Sequence, residues 1–339
     1  MKLLIVTQRV DREHPVLGFF HRWIQEFAAH CASVTVIAQT VGSYDLPANV
    51  RVLSLGKESG VSRARQVASF WHLIAARRSE YDAVFIHMTP IWAVIGWPVW
   101  SMYRKPEFLW YEARGARWPL RLALLLVRNV FSASAAGMPL NTKKSVITGH
   151  GIDTDVFAPD EAVNREPGFL IHVGRITASK HIPALLDCVA ALPHARLLLA
   201  GAPVTTQDEA VLAAARDRMD QPDLHGRVDI RSVPPKDIPD LLRKADVFIH
   251  ASDTSLDKAV LEAMACGCLV VSAAAAFRDI LPEPCRAGRD TMAEAVGSML
   301  ALPSDQQDAL RKTLRRIVED HHSLRRLIRL LVTRMSPSA

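Results

Sequence analysis

The feature that most constrains this chain is a series of short, continuously apolar runs separated by stretches of helical periodicity. Runs at 2–7 (KLLIVT), 33–39, 50–54, 83–88 (AVFIHM), 108–112, 129–133 and 145–148 are followed, after residue 168, by a second series at 169–174 (FLIHVG), 196–201, 228–233, 246–251 and 268–273. Helical patterns at 19–30, 62–79, 181–192, 207–219, 237–245 and 257–266 lie between them. A strand that is apolar along its whole length is covered on both faces, as in a parallel sheet wrapped by helices. Two such series, in a chain of 339 residues that is too long for one ordinary core, predict two Rossmann-like α/β domains facing each other across a cleft.

The stretch 149–168 (GHGIDTDVFAPDEAVNREPG), rich in Gly, Pro and acids, is the expected seam between a domain at 1–149 and one at 150–317. The last helical pattern, about 305–335, carries Arg311, Lys312, Arg315, Arg316, Arg325, Arg326 and Arg329 among leucines and isoleucines. It reads either as a packing helix with a solvated face or as a surface that lies on a membrane. The same two readings apply to the Trp-rich stretch 92–103. The greasiest segment, 88–103, is broken by Pro90 and Pro98 and falls short of the roughly 20 residues of a bilayer span, so no transmembrane segment is expected. The first residues (MKLLIVTQ) read as a strand rather than a signal peptide. A net charge of +6 and a pI near 9.2 permit phosphate-bearing or membrane partners without choosing among them. Five scattered cysteines, with only Cys266 and Cys268 close together, read as reduced buried thiols of a cytoplasmic protein rather than a zinc site.

In open parallel sheets, ligands bind beyond the carboxyl ends of the strands. Chemistry is therefore expected just after Thr7, His87, Tyr111, Gly174, Val233 and Ala251. Arg175 and Lys180, in VGRITASK, place two cations where a helix begins; they read equally as an anion site or as two solvated charges. Glu262 stands alone as an acid in the apolar helix AVLEAMACG. It is either the partner of Lys258 four residues earlier or a carboxylate awaiting donors such as vicinal hydroxyls. Gly18 either lets the backbone approach a ligand or simply makes a turn. His87, at the end of a strand, reads first as a structural histidine. G-x-G-x-x-G, P-loop, H-E-x-x-H and G-x-S-x-G motifs are all absent, which argues against dehydrogenase, ATPase, metalloprotease and α/β-hydrolase chemistry.

Four segments in order, GHGIDTDVFAP, HVGRITASK, VPPKDIPDLLRKADVFIHAS and LEAMACGCLVVSA, make the second half resemble the nucleotide-sugar domain of retaining glycosyltransferases of family 4 (group 1), which have the GT-B fold. The first half resembles them more loosely, through LLIVTQ and GFFHRWIQEFA. The resemblance implies a metal-independent hexosyltransferase that moves a sugar from a UDP- or GDP-linked donor to an acceptor hydroxyl, with no cofactor besides that donor. It implies polysaccharide, glycolipid or cell-envelope glycan synthesis, with a glycan or lipid-linked acceptor, an anionic membrane surface as a further partner, and no nucleic acid. The alternatives are a GT-B epimerase or phosphorylase, or an inactive nucleotide-sugar-binding partner protein.

By the same resemblance Arg175 and Lys180 hold the diphosphate, beside Gly174. Glu262 accepts the ribose hydroxyls, Ser232 and Val233 frame the base, and Gly18 closes over the phosphates. The donor-side loop comprises Thr254, Ser255, Leu256, Asp257 and Lys258. Arg9, His87, Glu112 and Arg114 belong to the acceptor or sugar side, and the final helix, about 318–335, returns to complete the first domain. The chain departs from the family in having Thr254 where a second glutamate is usual, and Leu256-Asp257 where Phe-Gly is usual. It has Glu112, Ala113 and Arg114 where a histidine often follows the fifth strand. Asp257 is therefore expected to take over the missing glutamate's task, with Lys258 offsetting its charge.

Overall fold

The computed structural model describes residues 1–336 apart from 15, 114, 254 and 255. The chain divides into two compact units, one of Met1–Gly151 with the segment from Ser323 onward, the other of Ile152–His322.

The first unit carries β1 (Lys2–Val10), α1 (Phe19–His30), β2 (Ser33–Val41), β3 (Val50–Ser54), α2 (Arg63–Ala76), β4 (Ala83–His87), α3 (Pro90–Met102), β5 (Glu107–Trp110), α4 (Trp118–Leu126), β6 (Asn129–Ser132) and β7 (Ser145–Ile147). The seven strands form one parallel sheet in the order β3-β2-β1-β4-β5-β6-β7. One face is packed by Trp23, Ile24 and Phe27 of α1. The other carries Phe70 of α2 with Trp92 and Trp100 of α3. The final helix, α11 (Leu324–Met335, after α10 below), joins the α1 face through Leu324, Leu327, Ile328, Leu331 and Met335. Those positions recur at helical spacing and make one apolar stripe.

The second unit holds β8 (Phe169–Val173), α5 (Ile182–Ala190), β9 (Arg196–Ala200), α6 (Thr206–Met219), β10 (Val228–Arg231), α7 (Ile238–Lys244), β11 (Val247–His250), α8 (Lys258–Ala265), β12 (Leu269–Ser272), α9 (Met292–Leu300) and α10 (Ser304–His321). Its five strands are again all parallel, ordered β10-β9-β8-β11-β12. Both units are thus doubly wound α/β folds. In each the strand order reverses beside the first strand, between β1 and β4 and between β8 and β11. That switch point is where such sheets open a crevice for ligands.

All twelve expected strands form, with ends shifted by a few residues. Three helices had no counterpart in the sequence reading or only an ambiguous one. The greasy stretch is α3, with Pro90 at its first turn and Pro98 inside it. The helices α4 and α9 are short, and α4 has too few polar residues to display an amphipathic stripe. All five cysteines are buried and free. Among the described residues, no helix is long and apolar enough to cross a membrane.

Of the basic C-terminal residues, Arg311 is buried and Arg315 half-buried, while Lys312, Arg316, Arg325, Arg326 and Arg329 are exposed. Arg311, buried on α10, donates to the carbonyls of Asp246 (3.3 Å) and Gly267 (3.2 Å) and pairs with the Asp246 carboxylate at 2.8 Å. It thereby ties α10 to the start of β11. Arg315 reaches the carbonyls of Phe157 and Ala265, and Arg326 donates to Thr148 O at 3.0 Å. Truncating Arg311 removes the charged partner of the Asp246 carboxylate, which keeps only the Gly168 N–H, and takes one donor from each of the Asp246 and Gly267 carbonyls. We expect Arg311→Ala to cost about 3–5 kcal/mol in urea unfolding; a loss under about 1 kcal/mol would mean that this guanidinium does not hold α10 in place.

Candidate functional site

The loops that follow β8 and β11 meet at the switch point of the second sheet. Asp253 N donates to Ser179 O (3.1 Å) and Ser252 Oγ to the same carbonyl (3.2 Å), locking the 174–181 loop against the 251–257 loop. On the other side, the ladder between β8, β9 and β10 continues past the strands. Gly174 N donates to Ala200 O (3.1 Å), Ile176 N to Ala202 O (3.1 Å) and Gly201 N to Arg231 O (2.9 Å). A Cβ at Gly201 would stand 1.7 Å from the Gly174 carbonyl oxygen, so only glycine permits this approach.

Lys180 is buried, 7% exposed, and its ammonium is paired with Asp257 Oδ2. His250 Nε2 lies 3.4 Å from the same oxygen, and His250 Nδ1 lies 2.9 Å from Ser272 Oγ. Ser272 Oγ also accepts the N–H of Ala274 at 3.2 Å. Burial lowers the pKa of His250, against the pull of the Asp257 carboxylate, so the ring is assigned as neutral. With a neutral ring the network is self-consistent in one arrangement: Ser272 donates to Nδ1, and Nε2–H donates to Asp257. Burial pushes the Asp257 carboxyl up, but the His250 hydrogen bond and the Lys180 charge outweigh it and hold the group well below the usual carboxylate range. Although Asp257 stands at the N-cap of α8, its side chain makes no capping hydrogen bond. Its Oδ2 takes both Lys180 and His250, and Oδ1 has no hydrogen bond among the described residues. The cation that neutralises Asp257 is Lys180, not Lys258 as the sequence suggested.

His172, on β8, completes the buried cluster. It is fully buried, stacks 6.2 Å from His250 at 16°, and shares Nδ1 with Ile249 O at 3.1 Å. Its Nε2 has no hydrogen-bond partner among the described residues. A Cβ at Gly174 would come 3.3 Å from that nitrogen, a tight approach, and 3.4 Å from Lys180 Cε, an ordinary contact.

Around this centre the other expected residues divide. Arg175 is exposed and lies on the β9 side of the loop. There Asp208, near the start of α6, is held below the usual carboxylate range by the Thr205 hydrogen bond, with a smaller contribution from Arg175. Arg175 and Lys180 therefore flank the loop and share no partner among the described residues. Ser232 and Val233 follow edge strand β10, Ser232 exposed and Val233 half-buried. Leu256 is 4% exposed and belongs to the core of the second unit. Glu262 and Lys258 approach to 4.0 Å along α8, the helical pairing that the sequence offered as the simpler reading. Burial pushes the Glu262 carboxyl up, opposed by Lys258. Thr254, Ser255 and Arg114 lie outside the described residues.

Three expectations for the first unit acquire a different physical account. Gly18 is helical in conformation, and a Cβ there would lie 2.7 Å from both the Arg12 and the His14 carbonyl oxygens; its own loop needs that space. His87 is 2% exposed, stacked on Phe20 at 3.9 Å and within 3.3 Å of Thr7 Oγ1, in keeping with the structural reading. Glu112 accepts from Ser132 Oγ (2.7 Å), Ala133 N (2.8 Å), Ser134 N (3.1 Å) and Ser134 Oγ (3.0 Å), so its carboxylate holds the 132–137 turn. A Cβ at Gly137 would fall 1.9 Å from it, which explains the glycine. Arg9, paired with Asp11 at 3.4 Å, does line an open pocket of about 810 Å³ along the carboxyl edge of the first sheet, with His14, Lys57, Met88, Tyr111 and Arg117.

Sequence reasoning missed His172, His250 and Ser272. The available signal was a single histidine near the end of each of two otherwise apolar runs, FLIHVG and VFIHAS. It also missed His181, in the left-handed region at φ 50°, whose ring pairs with Asp253 beside Arg289. Among the described residues no group of three or more His, Cys, Asp or Glu is arranged to hold a metal ion.

Burial, followed by the repulsion that a proton on His172 would meet from Lys180 and from any proton on His250, lowers the His172 pKa from its ordinary 6.5 to about 3. Between those values the unfolded chain binds a proton that the folded one refuses. Stability is therefore intact above pH 6.5 and lost as pH falls, by about 1.4 kcal/mol per pH unit. Replacing the ring by Asn, which keeps a donor for Ile249 O, should make chemical unfolding measured at pH 7 and pH 5 less pH-dependent. An unchanged difference between the two would show that His172 is not the group responsible.

Residues 167–320 match the family model described as "Glycosyl transferases group 1". No curated protein matches the chain in sequence. Among solved structures, Anabaena HepE in complex with UDP and glucose superposes with a TM-score of 0.74 at 17% identity, over 100% of both chains. Sucrose-phosphate synthase from Thermosynechococcus elongatus gives 0.74 at 15% identity, over 97% of this chain and 98% of that one. WaaG, a glycosyltransferase involved in lipopolysaccharide biosynthesis, gives 0.64 at 15% identity over 99% and 100%. The chain thus has the GT-B fold of these structures, and residues 167–320 of its second unit are similar to group 1 glycosyltransferases.

Proposed function

We propose that this protein is a metal-independent, retaining hexosyltransferase that moves a sugar from a nucleotide-diphosphate sugar to an acceptor hydroxyl. The donor binds the second unit and the acceptor the first. The observation that carries the reading is the Lys180–Asp257–His250 cluster, built at the switch point of a sheet inside the segment that matches the glycosyltransferase model. UDP is the first donor nucleotide to test, because HepE was solved with UDP and with UDP-glucose.

Breaking the anomeric bond leaves an oxocarbenium-like sugar and a diphosphate that gains negative charge. A fixed cation at that position lowers the barrier without the need for a metal. Lys180 is held in place by burial and by its ion pair, and Arg175 supplies a second positive charge from the β9 side. Asp257 Oδ1 accepts hydrogen bonds from donor-sugar hydroxyls while Oδ2 stays on Lys180 and His250. Glu262, on the partly exposed face of α8, accepts the ribose hydroxyls, and the backbone at Ser232 and Val233 frames the base. The pocket beside Arg9 takes the acceptor, which on this reading belongs to polysaccharide, glycolipid or cell-envelope glycan synthesis.

One observation favours a second reading, a nucleotide-sugar-binding protein without turnover: the charge of Lys180 is already cancelled by Asp257. The two separate in one experiment. Melting shifts with UDP, GDP and their sugars identify the bound nucleotide, and mass spectrometry over an acceptor panel detects transfer. Transfer supports the first reading; tight binding without any product supports the second; neither binding nor transfer overturns both. For the transferase we expect Lys180→Ala to lower kcat about 10²-fold or more. Asp257→Asn should reduce kcat while leaving nucleotide affinity equal or tighter, since it releases Lys180 from a carboxylate. Weaker nucleotide binding in Asp257→Asn would count against this division of labour.

A further inference from the structure

The first turn of α3 stands at the carboxyl edge of the first sheet, just beyond β4. Its N-cap is Thr89, whose side chain makes no capping hydrogen bond. Thr89 is 5% exposed, and its Oγ1 is buried with no hydrogen-bond partner among the described residues. A buried hydroxyl in that state is costly, and a bond to the first turn would have removed the cost. Pro90 has no N–H, and Ile91, at the second helical position, has no carbonyl within the helix to donate to. Met88, just before, lies in the left-handed region at φ 58°. It is held there by its N–H on Trp110 O at 2.8 Å and by its sulfur, which accepts the Glu112 N–H at 3.2 Å.

Residues 88–91 line the pocket of about 810 Å³ beside Arg9. Its wall holds Arg9, His14, Lys57 and Arg117, and no Asp or Glu. Arg9 is shared with Asp11, but Lys57 and Arg117 are exposed and form no ion pair among the described residues. Arg117 is close enough to Tyr111 to oppose the upward shift that burial gives its phenol. His14 Nδ1 accepts the N–H groups of Val16 (3.2 Å) and Leu17 (3.0 Å), so the proton of the neutral ring is on Nε2, which is a donor. The pocket thus offers hydroxyl, backbone, imidazole and guanidinium donors without a competing carboxylate. The start of a helix, with its orphan N–H groups and dipole, favours an anion. A phosphoryl group has oxygens enough to take the Thr89 hydroxyl, the Ile91 N–H and a guanidinium together, which a carboxylate has not.

We propose that the first turn of α3 is a subsite for a phosphoryl group on the acceptor, held by Thr89 Oγ1 and the Ile91 N–H with Arg117 and Lys57 supplying charge. The acceptor is then a phosphate ester rather than a neutral glycan. This rests on the reading that the first unit takes the acceptor, but its test needs neither donor nor turnover. Titration calorimetry on the full chain compares glucose 6-phosphate with glucose, and soluble dioctanoyl phosphatidic acid with dioctanoylglycerol. At least one ester should bind about 10-fold or more tighter than its neutral counterpart, and inorganic phosphate should compete with it. The tighter ester assigns the phosphoryl group to a sugar or to a lipid. Thr89→Val should lower that affinity about 10-fold or more, with the melting point equal or higher, because it removes a buried hydroxyl that has no partner. Arg117→Ala should lower it as well. A protein that transfers no sugar can still show this binding, and a transferase with a neutral acceptor will not. No binding of either ester, no preference over the neutral counterparts, or wild-type affinity in both variants would overturn the proposal. So would binding that is lost in Lys180→Ala and kept in Thr89→Val, which would place the anion at the donor site.

Discussion

The buried pair of Lys180 and Asp257 is the interaction around which the second unit is organised. An ammonium and a carboxylate withdrawn from water are costly unless each has a close partner and further hydrogen bonds. Here the carboxylate has a second donor in His250, and that ring is in turn oriented by Ser272. The chain of contacts runs from the loop after β8 across β11 to the end of β12, so three strand ends are joined by side chains as well as by the sheet. Two loops that would otherwise be independent are further tied at Ser179. What the pair specifies is therefore geometry: Oδ2 of Asp257 is fixed between Lys180 and His250.

The fold was largely legible because its determinant is repeated and local. Twelve apolar runs need cover on both faces, and only parallel sheets with helices on each side supply it. Helices without polar contrast, such as α4, were not legible, because periodicity is a difference signal and vanishes when nearly every position is apolar. The arginines of α10 were visible, but their partners are main-chain carbonyls, which carry no mark in the sequence.

The site was legible by position and not by partner. The tetrapeptide VFIH occurs twice, at 84–87 and 247–250, each time on the strand that faces the first strand of its sheet across the switch point. The sequence drew attention to His87, which the structure buries against Phe20 and Thr7. It passed over His250, whose neighbours are a serine and an aspartate from distant parts of the chain. Identical local sequences diverge in role because the deciding contacts are made across the sheet. Glu112 teaches the same lesson: an acid at the expected strand end turned out to be filled by four donors of the distant 132–137 turn.

The close passage of Gly201 against Gly174 has a consequence for motion. With the two backbones in touch and the ladder extended by the hydrogen bonds at Gly174, Ile176 and Gly201, the segment bearing Arg175 inherits the stiffness of the sheet. Any adjustment to an arriving molecule has to come from torsions of the arginine side chain, on the picosecond-to-nanosecond scale of exposed rotamers, rather than from slower travel of the main chain.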